Sequence, residues 1–359
     1  MCIGAVTYIC YIFSFLYPVK YVVYTMSAVL GIGAAFIWTG QGNYLIINTP
    51  IEKMSRNSGI FWATSQLSMI IGTTIIYFLF SGMETVNTKT RVLVISILSG
   101  IALFSFILFV SLPGSVRQDD ISTNKEDKPG PIEVLRGAGR LFRTKHILLL
   151  CVAFLYGGLE LAFFSGVYGS SVGFTLQLHD SKSLIGLCGI LIGCGEVLGG
   201  ILFGVFGAYT SKIGRSTIVI FGCILHLATY ALVFVNLPNN SPFGDTRDEA
   251  IITSSAAIAA ACGFCLGFAD ACFNNQFYTS IGTNYPNNSA SVFAIFRFVQ
   301  SIGGFIGFMY STHLIMYGNL GLLSISAVIG TICFVVSEKV EVNEEEAVRY
   351  RNKMGNGSS

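Results

Sequence analysis

The sequence predicts an all-α polytopic membrane protein, and three observations carry that reading. Of its 359 residues 53% are apolar and only 11% are charged, where a soluble chain carries about 25% charged residues. The apolar residues fall in continuous runs of about 17 to 28, the length a helix needs to cross the hydrocarbon of a bilayer. Mean hydropathy is +0.67. A chain this apolar cannot keep its surface from water, which excludes soluble enzymes, disordered proteins and fibrous proteins. A membrane barrel is disfavoured because its strands would alternate over about ten residues. The expected partner is the lipid bilayer. A formal net charge of +2 gives no reason to expect a nucleic acid.

Ten apolar segments follow one another at roughly 1–17, 21–46, 58–80, 92–112, 147–169, 184–208, 216–237, 254–281, 290–316 and 319–337. The first stops before Pro18 and is barely long enough to cross. The others are separated by short loops punctuated by Pro, Gly, Asn or charge. One connector differs. Residues 113–146 hold seven basic and five acidic residues with Pro113, Pro129 and Pro131. They part a group of four segments, 1–112, from a group of six, 147–337. A polar tail, 338–359, carries Glu344, Glu345 and Glu346 in a run and reads as solvated. Met1 opens into an apolar run with no basic stretch before it, so no signal peptide is expected.

Charge sets the orientation. With the first segment starting inside, the inner loops and tail hold 15 Lys and Arg against 5 in the outer loops. The positive-inside rule then makes both termini and the 113–146 connector cytoplasmic. Asn239-Asn240-Ser241 faces the other side and offers a glycosylation acceptor at Asn239, with Pro242 next to it. The sequon at Asn287 faces inside and stays bare. The ten Cys lie in apolar segments and read as small buried hydrophobes, Cys262 and Cys265 included.

Ionisable residues at membrane depth are functional candidates. Four occur, all in the last six segments: Glu160, Glu196, Asp270 and Arg297. Helical geometry turns each inward. Glu196 shares a face with Gly189, Gly193, Gly200, Gly204 and Gly207, a stripe that lets a neighbouring helix approach. Asp270 shares one with Ala256, Ala259, Gly263, Gly267 and Asn274. Arg297 sits with Ala290, Ala294, Ser301 and Gly304, and Glu160 with Ala153 and Gly157, flanked by Tyr156 and Phe164. At 1.5 Å per residue all four lie roughly 11–20 Å from the cytoplasmic ends. Two readings stay open: a substrate or proton path, and structural pairs in which Asp270 or Glu160 neutralises Arg297. With three acids to one base, at least one acid has no basic partner; Glu196 is the expected one. Gly303 and Gly307 form a packing motif, and His226 and His313 stand isolated. The sequence shows no metal-ligand constellation, phosphate loop or nucleophile elbow, so neither a cofactor nor an enzymatic activity is expected.

The loop after the sixth segment, Gly207-Ala-Tyr-Thr-Ser211-Lys212-Ile-Gly214-Arg215, resembles the cytoplasmic signature of the major facilitator superfamily. Gly207, Lys212, Gly214 and Arg215 match it, whereas Ser211 stands where the signature has an acid. Longer strings are more specific: Trp38-Thr-Gly-Gln-Gly-Asn43, Arg56-Asn-Ser-Gly-Ile-Phe-Trp-Ala63, Glu160-Leu-Ala-Phe-Phe-Ser-Gly-Val-Tyr-Gly169, Lys182-Ser-Leu-Ile-Gly186, Gly195-Glu-Val-Leu-Gly-Gly200 and Phe293-Ala-Ile-Phe-Arg-Phe-Val-Gln-Ser301. Together they resemble the Unc-93-like family of that superfamily, most closely its branch of major-facilitator-domain proteins. The resemblance implies a twelve-span bundle of two six-helix halves, with the first two spans absent from this chain. Residues 1–112 would then be the shortened N-terminal half, 113–146 the cytoplasmic linker and 147–337 the C-terminal half. It implies one of two roles: secondary transport with the four charges in the path and the signature loop as a gate, or an accessory role as regulatory subunit of an ion channel or chaperone of a membrane receptor.

The orientation predicts that a sequon inserted between residues 243 and 252 acquires a glycan and one inserted in the 338–359 tail does not. Mobility shifts on deglycosylation read this out, and the opposite pattern reverses the topology.

Overall fold

The computed structural model describes residues 1–80, 88–112, 131–206 and 212–340. Eleven helices run through these residues: α1 Cys2–Ser14, α2 Lys20–Ile47, α3 Met54–Phe80, α4 Thr88–Val110, α5 Pro131–Leu141, α6 Lys145–Ala162, α7 Ser181–Val205, α8 Arg215–Asn236, α9 Ala256–Asn284, α10 Ser289–Ser311 and α11 Met316–Ser337. Each of the ten apolar segments coincides with one of them. Eight stretches are long and apolar enough to cross a membrane by themselves. Helix α1, with 13 residues, is too short, and α3 is not among the eight. The α3 sequence carries Ser, Thr and Gln, and its hydroxyls bond back to the helix carbonyls, as Thr64 Oγ1 does to Ile60 O at 2.9 Å.

Boundaries follow local chemistry. Pro18 separates α1 from α2, and Pro50 starts the short turn Ile51–Lys53 before α3. Thr144 caps α6, its hydroxyl accepting from Ile147 N at 3.4 Å. Gly214 precedes α8 at φ +90°, a left-handed conformation that favours glycine. The connector 113–146 is not wholly irregular. Helix α5 occupies Pro131–Leu141, where Pro131 sits at the tolerated first position of a helix, and Leu141 is buried against the bundle. The fifth apolar segment also differs from a plain helix. After Ala162 it widens into a π-helical turn, Phe163–Tyr168, before a last helical turn pair at Gly169–Phe174.

Close approach holds the bundle together. Helix α7 lies between α3 and α9. On its α3 side, a side chain at Gly200 would meet Ala63 N at 2.6 Å, and one at Gly193 would meet Ile70 at 2.7 Å. On its α9 side, Gly195 abuts Phe264 O, and Gly267 of α9 abuts Ile192 O. Helix α6 meets α10 in the same manner, with Gly158 against Gln300 O and Gly303 against Leu155 O. Helix α2 reaches α10 through Gly42, which lies under the Phe293 ring. The glycine stripe read on the Glu196 face is thus the α3 contact. Lipid tails are as apolar as the side chains, so such backbone-to-backbone packing takes the place of a hydrophobic drive between helices. Facing residues from 175 and 246 add a clasp at the end opposite Arg215: Leu176 N donates to Thr246 O, Thr246 N to Phe174 O, and Lys182 pairs with Asp245 at 2.7 Å.

Glycine substitutions should therefore divide by position. Gly158→Ala forces a methyl group into the Gln300 carbonyl and should lower stability by about 1–3 kcal/mol or more. Gly100→Ala, with nothing within 4 Å of the added carbon, should be neutral or stabilising by up to about 1 kcal/mol. Thermal unfolding followed by fluorescence-detected chromatography separates the two.

Candidate functional site

Glu160 on α6, Glu196 on α7 and Asp270 on α9 are all buried, at 1%, 0% and 4% exposure. The structure brings the three together. The carboxyl of Asp270 acts electrostatically on Glu160 on one side and on Glu196 on the other. Asn274, one turn on from Asp270, donates to its Oδ1 at 2.7 Å. Glu196 also touches the first four helices, because Trp62 Nε1 of α3 donates to its Oε2 at 2.6 Å. Glu160 continues the chain the other way. His226 Nε2 of α8 is 3.3 Å from Glu160 Oε1, Tyr156 OH is 2.6 Å from His226 Nδ1, and Tyr230 OH is 3.1 Å from Tyr156 OH. The row of polar groups runs from α3 through α7, α9 and α6 to α8.

Arg297 stands apart from the expected pairing. No carboxylate oxygen of the described residues lies within 4.0 Å of it. Its guanidinium donates to Gln300 Oε1 at 2.7 Å and to Tyr278 OH. It also sits over the Trp38 ring of α2 and the Phe296 ring, each 4.7 Å from the centroid. The reason is geometric. Arg297 is on α10, whose face toward α2 and α9 offers aromatic rings and an amide, and Asp270 acts on it only through its field. Among the described residues no basic side chain pairs with Glu196, whose neighbours are Trp62 and Asp270. Nor is His226 isolated: its ring stacks on Tyr230 at 5.5 Å, with planes 8° apart.

Arg215 of the signature belongs to a second polar cluster, at the end of the bundle where α8 starts and α9 and α11 stop. Gly207 and Ser211 lie outside the described residues, as do Pro113, Pro129 and Glu344 to Glu346. Lys212 is exposed. Arg215 donates through Nε to Glu338 Oε2 at 2.5 Å and through Nη1 to Thr283 Oγ1, and Ser280 Oγ donates to Glu338 Oε1 at 2.8 Å. One guanidinium and one carboxylate so tie the starts and ends of α8, α9 and α11. Asn239 is half-buried and braces the far end: its Oδ1 accepts from Tyr317 N at 3.0 Å and its carbonyl from Met316 N at 2.9 Å. Ser241 of the same sequon is buried. All ten cysteines are free. Among the described residues no group of His, Cys, Asp or Glu is arranged to hold a metal ion.

Trp62, His226, Tyr230 and Tyr278 were not singled out as members by sequence. The His226–Tyr230 spacing of four puts that pair on one helix face, just as the Asp270–Asn274 spacing does. Nothing local pairs Trp62 with Glu196, 134 positions away.

Comparison with known proteins fits this architecture. The profile of the family described as ion channel regulatory protein UNC-93 matches residues 1–335. The UNC93-like protein MFSD11 of Xenopus tropicalis is 38% identical over 356 residues, covering 94% of this chain and 80% of that protein. The protein unc-93 homolog A of Bos taurus is 25% identical, covering 93% and 79%. Among solved structures, the major facilitator superfamily transporter FucP in its outward conformation superposes with a TM-score of 0.59 at 14% identity, over 94% of this chain and 78% of that one. At that identity the likeness is one of fold. The chain belongs to the UNC-93 family, as a multi-pass integral membrane protein with the major facilitator fold.

Proposed function

We propose that this protein is a proton-linked secondary transporter and that Glu160, Asp270 and Glu196 are its proton-binding path. The observation that carries the reading is the buried carboxyl chain centred on Asp270. Three carboxyl groups buried in one another's field do not all ionise together, because desolvation and like charge both disfavour it. One ionised acid among the three balances the single charge of Arg297. A buried group of this kind, neutral overall and able to take or lose one proton, suits proton coupling. The Trp62 bond carries the state of Glu196 into the first four helices. Residues 1–112 and 147–337 are then the two moving bodies, 113–146 the linker between them, and the Arg215–Glu338 tie, with Gly207 and Lys212 in its loop, a cytoplasmic gate. Both termini face the cytoplasm, as the 15 to 5 division of basic residues supports. No covalent chemistry is assigned to any residue, and the reading is not that of an enzyme.

The second reading is an accessory subunit of an ion channel or a receptor chaperone. The description of the matching family favours it, as does Ser211 in place of the acid of the signature.

Two measurements decide between them. In liposomes bearing an imposed pH gradient and supplied with a mixed metabolite pool, the transporter should accumulate a solute that mass spectrometry identifies. Asp270→Asn and Glu196→Gln remove a proton site without changing shape. Each should lower gradient-driven uptake by roughly tenfold or more, a loss equivalent to about 1.4 kcal/mol, with an unchanged chromatographic profile. Uptake indifferent to both variants, or no uptake, sinks the transport reading. A stoichiometric channel or receptor co-purifying from native membranes in mild detergent establishes the accessory one.

Trp62→Phe tests the tie between the helices. Loss of a buried donor to a carboxyl group should cost about 1–3 kcal/mol of stability, and the loss should shrink when Glu196→Gln is already present, as a double-mutant cycle measures.

A further inference from the structure

We infer that Arg297 is the binding site for a small organic anion carrying a single carboxylate, reached through the cleft between α2 and α3. The inference rests on the transport reading and adds the class of substrate. A guanidinium has five N–H donors in a planar fork. In Arg297 one goes to Gln300 and one to Tyr278, while Nε is buried and has no partner. A buried donor left unpaired is costly, so the site is incomplete as it stands. The rings of Trp38 and Phe296 cover the guanidinium and hold it in place, which leaves its edge to meet a ligand. A carboxylate matches that edge with two parallel bonds.

A cleft of about 390 Å³ opens between α2 and α3, lined among others by Gln41, Tyr44 and Phe61. Phe61 stacks on Tyr278 with centroids 5.8 Å apart, so the cleft backs onto the residue that Arg297 bonds. Gln41 is one residue short of a full turn beyond Trp38, and both atoms of its amide are buried and unpartnered. Cation, amide and aromatic walls together suit a carboxylate with an apolar or carbonyl-bearing body. The volume is that of a small-molecule site.

Charge sets the number. Tyr278 bonds Arg297, and Asp270, which acts in turn on Glu160 and Glu196, reaches it through its field. With one of the three acids ionised, as in the transport reading, the region is already neutral. A monoanion can enter without net charge only if the third acid is protonated with it, and a dianion such as phosphate overruns the one guanidinium. One anion and one proton therefore enter together.

Calorimetry on the purified chain in lipid nanodiscs tests this with acetate, pyruvate and benzoate as probes, and with inorganic phosphate and choline as controls. At least one carboxylate should bind saturably, more tightly at lower pH. Arg297→Lys keeps the charge but not the fork and should weaken binding at least tenfold; Arg297→Gln should abolish it. Gln41→Leu should weaken it with Arg297 intact, and monodisperse elution of each variant shows that it folds. No binding by any of the three probes, equal binding in Arg297→Lys and Arg297→Gln, or preference for phosphate or choline overturns the inference. Carboxylate binding without gradient-driven uptake would sink the transport reading and keep this one. Gradient-driven uptake of a neutral or cationic solute would do the reverse.

Discussion

Three carboxyl groups buried together inside the helix bundle are the constraint on which the rest depends. An isolated charge there costs several kcal/mol even after the protein relaxes. The surroundings of Asp270 read as an answer to that cost. Glu160 and Glu196 flank it, Asn274 donates to it, and the field of Arg297 reaches it. Each outer acid then has its own neighbour, His226 for Glu160 and Trp62 for Glu196. Remove the middle acid and two glutamates remain buried with nothing between them.

Small residues make that meeting feasible. Helix α7 must touch α3 and α9 at once for Glu196 to reach both Trp62 and Asp270. Gly195 lets α9 close in on one side, and Gly193 and Gly200 let α3 close in on the other. Glu196 sits between those contacts along the helix, where both neighbours are nearest. The chemistry of the site is in this sense set by the absence of side chains around it. A helix of larger residues would hold the same acid several ångströms from its partners.

What the sequence makes legible follows from locality. Helix positions, the inward turn of Glu160, Glu196 and Asp270, and the glycine face on α7 come from periodicity within one segment, and each is found. What joins residues of different helices is not periodic. One of the two open readings set Arg297 against an acid, and it rests on Trp38 and Phe296, because the facing residues are set by how α10 packs on α2 and α9. Helix α5 was hidden by Pro131, Gly137 and Gly139, which read as a connector. The π-helical turn after Ala162 leaves no mark in a hydropathy pattern, since one extra residue in a turn does not break the apolar run. It lies one turn beyond Glu160, where such turns commonly mark function.

The chain has two tryptophans, and both extend from the first four helices to a charged residue of the last six. Trp62 donates to Glu196 and Trp38 lies over Arg297. Both contacts weaken if the two groups of helices part, and both depend on charge. A hydrogen bond to an ionised carboxylate is roughly twice as strong as one to a neutral carboxyl, so a proton on Glu196 loosens the Trp62 tie. A cation over a tryptophan face gains about 0.5–2 kcal/mol, and an anion on the edge of Arg297 draws off part of that attraction. Proton and anion therefore act in the same direction. Each loosens one contact between the helix groups, beside the close packing of α3 on α7 and α2 on α10, so on the transport reading the pair bound together favours separation more than either does alone.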